Sequence, residues 1–200
     1  RWDSRELTVA LKLIIIGLIC KSVFADRLSP LVDAIFAAPA KFDNRTLLSG
    51  AVGFYSQIYF DFVGYSTIAI GVSRLFGFKL PRNFDFPYRS VSITEFWRRW
   101  HISLSSWLRD YLYIPLGGGR VGRLKQYRNL LLTMLLGGLW HGASYNFVLW
   151  GGAHGVALAV HKLFRARFPR LFLEGAAREA WLHVAWLLTQ GFVLAAWVPF

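Results

Sequence analysis

Long apolar blocks, separated by short basic connections, constrain the fold of this chain more than any other feature. Hydrophobic residues make up 55% of the sequence and come in blocks rather than evenly. About 20 apolar residues suffice for a helix to cross the hydrocarbon core of a membrane. Since a segment inside that core must satisfy its own backbone hydrogen bonds, each block is predicted to be helical. The expected fold is therefore all-α, a polytopic membrane protein.

Four apolar stretches are predicted to enter the membrane: Leu7–Ala25, Leu47–Phe78, Asn129–Phe164 and Trp181–Phe200. Glycines around His141 are weak helix formers, so the third stretch is predicted to be a pair of helices broken near that residue. Prolines predict a connection over Asp26–Arg45, with a short helix near Leu31–Ala37, and a break over Lys79–Arg89.

The two ends of the sequence predict an internal piece of a longer protein. The chain opens on Arg1 and stops at Phe200 inside an apolar run. Residues 1–200 are therefore expected to form part of one transmembrane domain. Any signal peptide would lie outside this piece, so its absence here carries no weight.

The balance of charge is strongly basic. Lys and Arg number 23 against 11 Asp and Glu, a formal net charge of +12. Nucleic-acid-binding modules do not carry several blocks long enough to span a bilayer, whereas membrane proteins concentrate Lys and Arg in cytoplasmic loops. A basic loop over Arg120–Arg128 is predicted to be such a loop. Cys20 is the only cysteine, which excludes an intrachain disulfide and a cysteine-rich metal cluster.

One segment is too charged to span a membrane and too aromatic for a loop. Ser92 and Glu95 form a capping box ahead of it, and Pro115 and three glycines follow it, which predicts a helix over Ile93–Tyr113. This helix is predicted to lie at the interface or to re-enter the protein. One face carries a stripe of residues at helical spacing, namely Trp97, Trp100, His101, Leu104, Leu108 and Tyr111. Another face carries polar residues, namely Arg98, Ser105 and Arg109.

Ionisable side chains within the apolar stretches are the candidate site residues. Each costs ~2.5–3.5 kcal/mol to insert, so such residues tend to mark a cavity, a pathway or a site. The glycines beside His141 favour a functional role for it over a structural one. His101, taken alone on its aromatic stripe, is more typical of a packed core residue. Asp61 is equally compatible with a role in a chamber and with pairing to an arginine such as Arg74 or Arg99.

The other histidines form no recognisable metal site. His154 and His161 share a helix face two turns apart, and neither stands four residues from His141, the spacing of a helical zinc pair. The sequence contains no nucleophile elbow, phosphate-binding loop or dinucleotide fingerprint. Histidines in apolar surroundings suit a general base whose substrates, such as a thioester and a hydroxyl, bring their own reactivity. No metal is expected.

Three segments resemble the membrane-bound O-acyltransferase (MBOAT) family. They are YFDFVGYSTIAIGVSRLFGFKLPRNFDFPY (59–88), SITEFWRRWHISLSSWLRDYLYIPLGG (92–118) and RNLLLTMLLGGLWHGASYNFVLWGGAHG (128–155). The resemblance is closest to the bacterial branch of the alginate O-acetyltransferase type, with a signature region at about 55–155. It implies a ring of tilted transmembrane helices with re-entrant or amphipathic helices around a thinned centre. A cytosolic funnel and a tunnel from the other side would meet at the histidines.

The resemblance also implies roles for single residues. His141 matches the histidine of the LWHG motif, to which the family's catalysis is ascribed, and His101 matches the second signature histidine. Residues near them are candidates for substrate binding: Asp61, Trp100, Ser103, Arg109, Asp110 and Trp140. The implied donor is acetyl-CoA or another acyl thioester on the cytosolic side, and no cofactor is expected to stay bound.

The activity implied by the resemblance is transfer of an acyl group, acetyl in this branch, to hydroxyls of an exported polysaccharide such as alginate. The implied setting is the bilayer of the bacterial inner membrane. The implied partner is the periplasmic machinery of polysaccharide acetylation, either an acceptor protein or the polymer, and not nucleic acid.

The sequence departs from the family pattern at two positions. Thr67 stands where the family usually has Asp, which leaves Asp61 as the local acid, and Gly119 stands where Asn is frequent.

Two other functions stay open. A sister enzyme that moves D-alanine from a carrier protein to a cell-wall polymer has overlapping motifs. A proton-coupled transporter would use Asp61, His101 and His141 as a relay, although no inverted repeat supports it.

Overall fold

The structure is a computed structural model that describes residues 4–169 and 176–198. Within these ranges all regular structure is helical and no strand occurs, which confirms the all-α prediction. The chain divides into two compact units, Arg1–Asn83 and Phe84–Phe200. The division falls within the predicted break over Lys79–Arg89, where a single short 3₁₀ turn, Pro87–Arg89, is the only regular structure.

The first unit is a long helical hairpin. α1 (Ser4–Leu18) continues through a π-helical segment (Ile19–Ala25) into α2 (Asp26–Ala37). After a short turn the chain reverses into α3 (Asn44–Leu75), which packs along all three preceding segments. At ~1.5 Å per residue, a helix of 32 residues is about 48 Å long, so one helix can cover that whole length.

Glycines on α3 set the spacing of this hairpin. A Cβ on Gly64 would lie 2.8 Å from the carbonyl oxygen of Gly17, and one on Gly50 would lie 2.8 Å from the side chain of Ile35. Both approaches are closer than real side chains tolerate, so the helices touch backbone to backbone at Gly64, and the Ile35 side chain packs directly on the backbone at Gly50. The short helix predicted near Leu31–Ala37 within the connection over Asp26–Arg45 is confirmed, but it is longer than predicted, because α2 already begins at Asp26. Burial of Ile35 and its neighbours against α3 keeps α2 helical despite Pro30, because tertiary packing outweighs local propensity.

The described residues of the second unit form five α-helices. They are α4 (Ile93–Arg99), α5 (Ile102–Leu108), α6 (Arg123–His141), α7 (Tyr145–Arg167) and α8 (Ala176–Trp197). α6 and α7 form a tightly packed pair, and α4 packs against α7. The predicted break near His141 is confirmed. The predicted basic loop over Arg120–Arg128 is too long, because α6 already begins at Arg123.

Aromatic side chains build the core of the second unit. Gln190 and Trp186 of α8 donate hydrogen bonds, each 2.8 Å long, to the carbonyl oxygens of Ser90 and Tyr88. These bonds hold α8 against the segment that leads into α4. The buried side chains at the centre come from α4 and the residue that follows it, from α7 and from α8: Phe96, Trp97, Trp100, Trp150, Val193 and Trp197.

The helix predicted over Ile93–Tyr113 is broken in the structure. Its start is confirmed, since the Ser92 hydroxyl accepts from the backbone N–H of Glu95. Trp100 is extended, and His101 adopts a left-handed backbone (φ 43°) before α5 begins. α4 ends here because the carbonyl oxygen of Arg99 accepts from the backbone N–H of Asp85 at 3.0 Å, a bond that lies outside the helical hydrogen-bond pattern. α5 then widens into a π-helical turn that ends at Tyr113.

Within the part of the chain that the structure describes, three helical stretches are long and apolar enough to cross a membrane: Ser4–Ala37, Tyr145–Arg167 and Arg178–Trp197. They overlap three of the four stretches that the sequence predicted. The stretch predicted over Leu47–Phe78 is helical but is not among the three, because α3 interrupts its apolar residues with serines, a glutamine and Asp61. The chain thus has the composition of a membrane protein.

Candidate functional site

His141 lies at the turn between α6 and α7. It is the last residue of α6, and the Ser144 hydroxyl begins α7 by accepting from the backbone N–H of Asn146. The two helices are exceptionally close, because a Cβ on Gly151 would lie 2.3 Å from the carbonyl oxygen of Met134. This backbone contact places the first turns of α7 directly beside the His141 imidazole.

Aromatic rings surround the half-buried imidazole of His141. The Trp140 ring lies 5.0 Å away and the Trp150 ring 5.3 Å away, both nearly perpendicular to the imidazole. Phe147 lies 6.0 Å away. An apolar environment of this kind favours a neutral imidazole, the form that can accept a proton.

His101 reaches the same region from the break between α4 and α5. Its ring lies 6.2 Å from that of Trp140, so one indole contacts both signature histidines. Histidine is enriched in the left-handed region relative to most residues, yet such conformations still store strain and cluster at functional sites. Burial lowers the pKa of His101 to about 4, and the charge that His141 can carry lowers it in the same direction.

A cavity of about 560 Å³ opens beside His101 and Trp140, and we call it the histidine cavity. His141 does not line it, but its ring contacts Trp140, which does. His101, Ser103 and Trp140 supply its polar groups. Its volume falls in the range of small-molecule sites. Its apolar wall consists of Leu104, Trp107, Leu108, Leu112 and Leu136. Three of the residues predicted from the sequence therefore line one cavity.

A second cavity of about 360 Å³ lies against the other side of α5, and we call it the arginine cavity. Leu108 lines both cavities, so its side chain is part of the wall of each. Arg98 and Arg109 stand at the arginine cavity together with five hydroxyl side chains, those of Thr94, Ser105, Ser106, Tyr113 and Thr133. Guanidinium groups and hydroxyls are the donors that proteins use for phosphate groups.

Two further predicted residues of the second unit, Trp100 and Asp110, line neither cavity. Trp100 is buried in the aromatic core, stacked on Phe96. Asp110 points to the exterior, paired with Arg109 at 2.7 Å, and that pairing lowers the pKa of its carboxyl group. Asp61 belongs to the first unit, where it pairs with the Lys21 ammonium group.

The arginine partner expected for Asp61 is wrong. Arg74 pairs with Glu6 at 2.7 Å, and Arg99 pairs with Glu95 at 2.9 Å. Lysine takes the place next to Asp61 because the π-helical segment that carries it packs directly on α3 at Gly64, and this close packing is visible only in three dimensions.

Sequence reasoning missed Trp150 and His154. Trp150 is 98% buried, contacts the His141 ring, and also lies 4.8 Å from the ring of His154. His154 is fully buried and accepts a hydrogen bond from the Trp97 indole N–H at 3.2 Å. The available signal was the spacing of four residues between Trp150 and His154, which puts both on one face of a helix.

The comparisons with known proteins agree on one family. The model of MBOAT, the membrane-bound O-acyltransferase family, matches residues 1–197. The chain is 48% identical over 92% of its length to the "Probable alginate O-acetylase AlgI" of Azotobacter vinelandii, covering 35% of that protein. It is 42% identical over 99% of its length to the "Peptidoglycan O-acetyltransferase" of Helicobacter pylori, covering 37% of it.

A more distant relative is the "Teichoic acid D-alanyltransferase" of Streptococcus thermophilus, 33% identical over 78% of the chain and covering 40% of that protein. The chain thus spans between a third and two fifths of the length of these curated relatives. The family model matches almost every residue, and both histidine motifs lie inside the matched region. This chain belongs to the membrane-bound O-acyltransferase family.

Proposed function

We propose that this chain is part of an O-acyltransferase that passes an acyl group, acetyl in the favoured case, from a cytosolic thioester to hydroxyls of an exported polysaccharide. The observation that carries the proposal is the contact of His101 and His141, from separate sequence motifs, with the single indole of Trp140 beside the histidine cavity. The names of the two more similar relatives, an alginate O-acetylase and a peptidoglycan O-acetyltransferase, support acetyl transfer.

The proposed chemistry uses His141 as a general base. The acceptor hydroxyl gives its proton to the imidazole as its oxygen attacks the thioester carbonyl carbon. The carbon–sulfur bond then breaks, and the departing thiolate takes the proton back from the imidazolium. The products are an ester and a free thiol, and His141 returns to its neutral form. His101 lies at the cavity wall, where it would position the acyl group or the acceptor.

The arginine cavity is the proposed site for the phosphate-bearing part of the donor. Arg98 and Arg109 supply positive charge, and Ser105 and Ser106 supply neutral donors on the same wall. Acetyl-CoA and carrier-bound thioesters both carry phosphate at a distance from the thioester carbon. Since Leu108 lines both this cavity and the histidine cavity, a flexible thioester arm would pass from one to the other beside that side chain.

The proposed setting is the bacterial inner membrane, which the chain crosses several times, with the acceptor on the periplasmic side. Three helical stretches suited to spanning support this setting. The acceptor is an exported polymer or a protein that relays the acyl group to one. D-alanyl transfer is the alternative, and the relative that carries that name is less similar than the two acetyl-transferring ones, at 33% against 48% and 42% identity.

Mass spectrometry of the exported polymer tests the proposal. We expect a strain without the full-length gene to export polymer that lacks O-acetyl groups, and the wild-type gene to restore them. A polymer that lacks D-alanyl groups instead would establish the alternative. A polymer with unchanged acyl content in the deletion strain would overturn the proposed function.

A further inference from the structure

His154 is a histidine of α7 that the proposed chemistry does not use. Its side chain has no exposed surface, and rings enclose it on several sides. Trp150 lies 4.8 Å from it, while Trp97 and Phe192 both lie 5.2 Å from it. Burying a polar ring at the centre of an aromatic cluster costs free energy unless hydrogen bonds compensate for the lost contact with water.

The bond between Trp97 and His154 fixes the protonation of this buried ring. The indole N–H can only donate, so Nδ1 of His154 must accept, and the proton of the neutral imidazole must sit on Nε2. Nε2 is buried without a hydrogen-bond partner among the residues that the structure describes. A protonated imidazole would point an N–H at the indole N–H, so the pair exists only while His154 is neutral.

Trp150 connects this pair to the proposed base. Its ring contacts two histidines: the ring of His154 lies 4.8 Å away, and the ring of His141 lies 5.3 Å away. The ring of Trp97 also lies 5.7 Å from it. The orientation of the Trp150 indole therefore depends on the Trp97–His154 pair, and the orientation of the His141 imidazole depends on the indole against which it packs.

We propose that Trp97 and His154 are positioning residues of the acyl-transfer site, which hold the His141 imidazole in its working orientation through Trp150. The inference rests on the proposed function, since it concerns the geometry of the proposed base. A misplacement of a catalytic group by about 1 Å can lower a rate about 100-fold, so a contact that aims the imidazole has a measurable effect on turnover.

Three variants of the full-length protein test this inference. His154→Asn keeps an acceptor at the place of Nδ1, because the Asn Oδ1 atom occupies nearly the same position. His154→Leu removes the acceptor at similar volume, and Trp97→Phe removes the donor while keeping an aromatic ring. Each is purified in detergent, and kcat and KM for acyl transfer are measured per folded molecule, with His183→Ala, a histidine on the exposed side of α8, as the control.

We expect His154→Leu and Trp97→Phe to lower kcat roughly 10- to 100-fold with KM nearly unchanged. We expect His154→Asn to recover most of that loss. Because both changes break one bond, the double variant should be no slower than the slower single variant. His183→Ala should match the wild type.

A purely structural His154 would give a different pattern. Less folded protein with a wild-type kcat per folded molecule would overturn the inference, and so would a His154→Asn variant no faster than His154→Leu. If His154→Leu does not fold, Trp97→Phe decides, since a wild-type kcat for it contradicts the proposal. His141→Ala in the same assay separates the two claims. If it is inactive while Trp97→Phe is normal, only the positioning role falls, and if it is fully active, the proposed function falls too.

Discussion

His101 and His141 are held by the backbone in different ways, and this difference separates their proposed roles. His141 ends a regular helix and packs against aromatic rings, so its imidazole has a defined direction. His101 occupies a left-handed position between two short helices and lines the histidine cavity. With its pKa lowered to about 4, His101 stays neutral throughout the physiological pH range. It is suited to hydrogen bonding with a substrate rather than to carrying charge.

Arg98 provides a test of donor binding at the residue scale. We expect Arg98→Gln to raise KM for the thioester donor about tenfold while kcat stays within about twofold, since a hydrogen bond to a charged group contributes ~1.5–3 kcal/mol. Steady-state kinetics of the full-length protein measure both constants. Arg178→Gln is the matched control, because Arg178 stands on α8 beside Glu179. An unchanged KM for Arg98→Gln would remove the arginine cavity from donor binding.

Asp61 is expected to act through stability. Its carboxylate pairs with Lys21, which also pairs with Asp26 at 3.2 Å. Asp61→Asn leaves the ammonium group with a weaker partner among apolar helices, so membranes should contain several-fold less folded protein. Quantitative blotting against Asp33→Asn, an exposed carboxylate on α2, checks this. Wild-type abundance with lost acyl transfer would show instead that Asp61 serves the reaction.

At the scale of elements, the α6–α7 pair is what builds the site. Glycines occur where the two backbones touch, because a Cβ on Gly138 would lie 2.2 Å from the carbonyl oxygen of Phe147 and one on Gly151 would lie 2.3 Å from that of Met134. This approach puts Trp150 against His141. The histidine at the end of one helix is thus oriented by the first turns of the next.

A pair of neighbouring glycines on α7 tests the importance of this contact. Gly151→Ala places a methyl group into the Met134 carbonyl, so the helices must separate, and we expect loss of most folded protein or of most activity. Gly152→Ala meets only Leu135 at an ordinary 3.6 Å, and alanine favours a helix by ~1 kcal/mol over glycine. Thermal denaturation in detergent should show Tm lowered for the first and unchanged or raised for the second. Equal Tm values would contradict the proposed packing.

The sequence predicts some elements well and others poorly, for identifiable reasons. The break after His141 was predictable because glycines mark it, and the start of α4 was predictable because Ser92 caps it locally. The break at Trp100 and His101 was not, since it arises from a hydrogen bond between Arg99 and Asp85, fourteen positions apart in sequence. A local sequence pattern cannot reveal a hydrogen bond between backbone groups that lie far apart in the sequence.

The candidate site follows the same rule. The histidine motifs and the resemblance they carry identify His101 and His141 without a structure. The shared contact with Trp140 and the cavity beside it depend on how α5, α6 and α7 pack. His154 was overlooked because its spacing from Trp150 places both on one helix face but does not reveal that this face is buried.

At the scale of the whole molecule, the distribution of charge predicts an orientation in the membrane. Arginine and lysine cluster on either side of the turn between Tyr113, where the π-helical turn after α5 ends, and α6. Such clusters stay on the cytosolic side. The members of this cluster are Arg109, Arg120, Arg123, Lys125 and Arg128. The arginine cavity, proposed for the donor, includes Arg109.

Cysteine labelling tests this orientation. Gly122 lies in the turn before α6 with open space around its Cα, so Gly122→Cys is tolerated sterically. In a background where the single native cysteine is replaced by Cys20→Ser, an impermeant thiol reagent should label Gly122→Cys only after the cytosolic face is exposed. The Cys20→Ser protein alone measures background. Labelling in intact cells would reverse the assigned orientation.

The rate of acyl transfer by full-length protein lacking the His141 imidazole is the most direct measurement of the central claim. General-base catalysis contributes ~10²–10⁴ in rate, so purified His141→Ala and His141→Gln should lose at least about 99% of kcat at wild-type abundance. His101→Gln should keep a trace of activity, and His183→Ala, the control histidine, should keep all of it. A purified His141→Ala protein that acylates its acceptor at the wild-type rate would contradict the account.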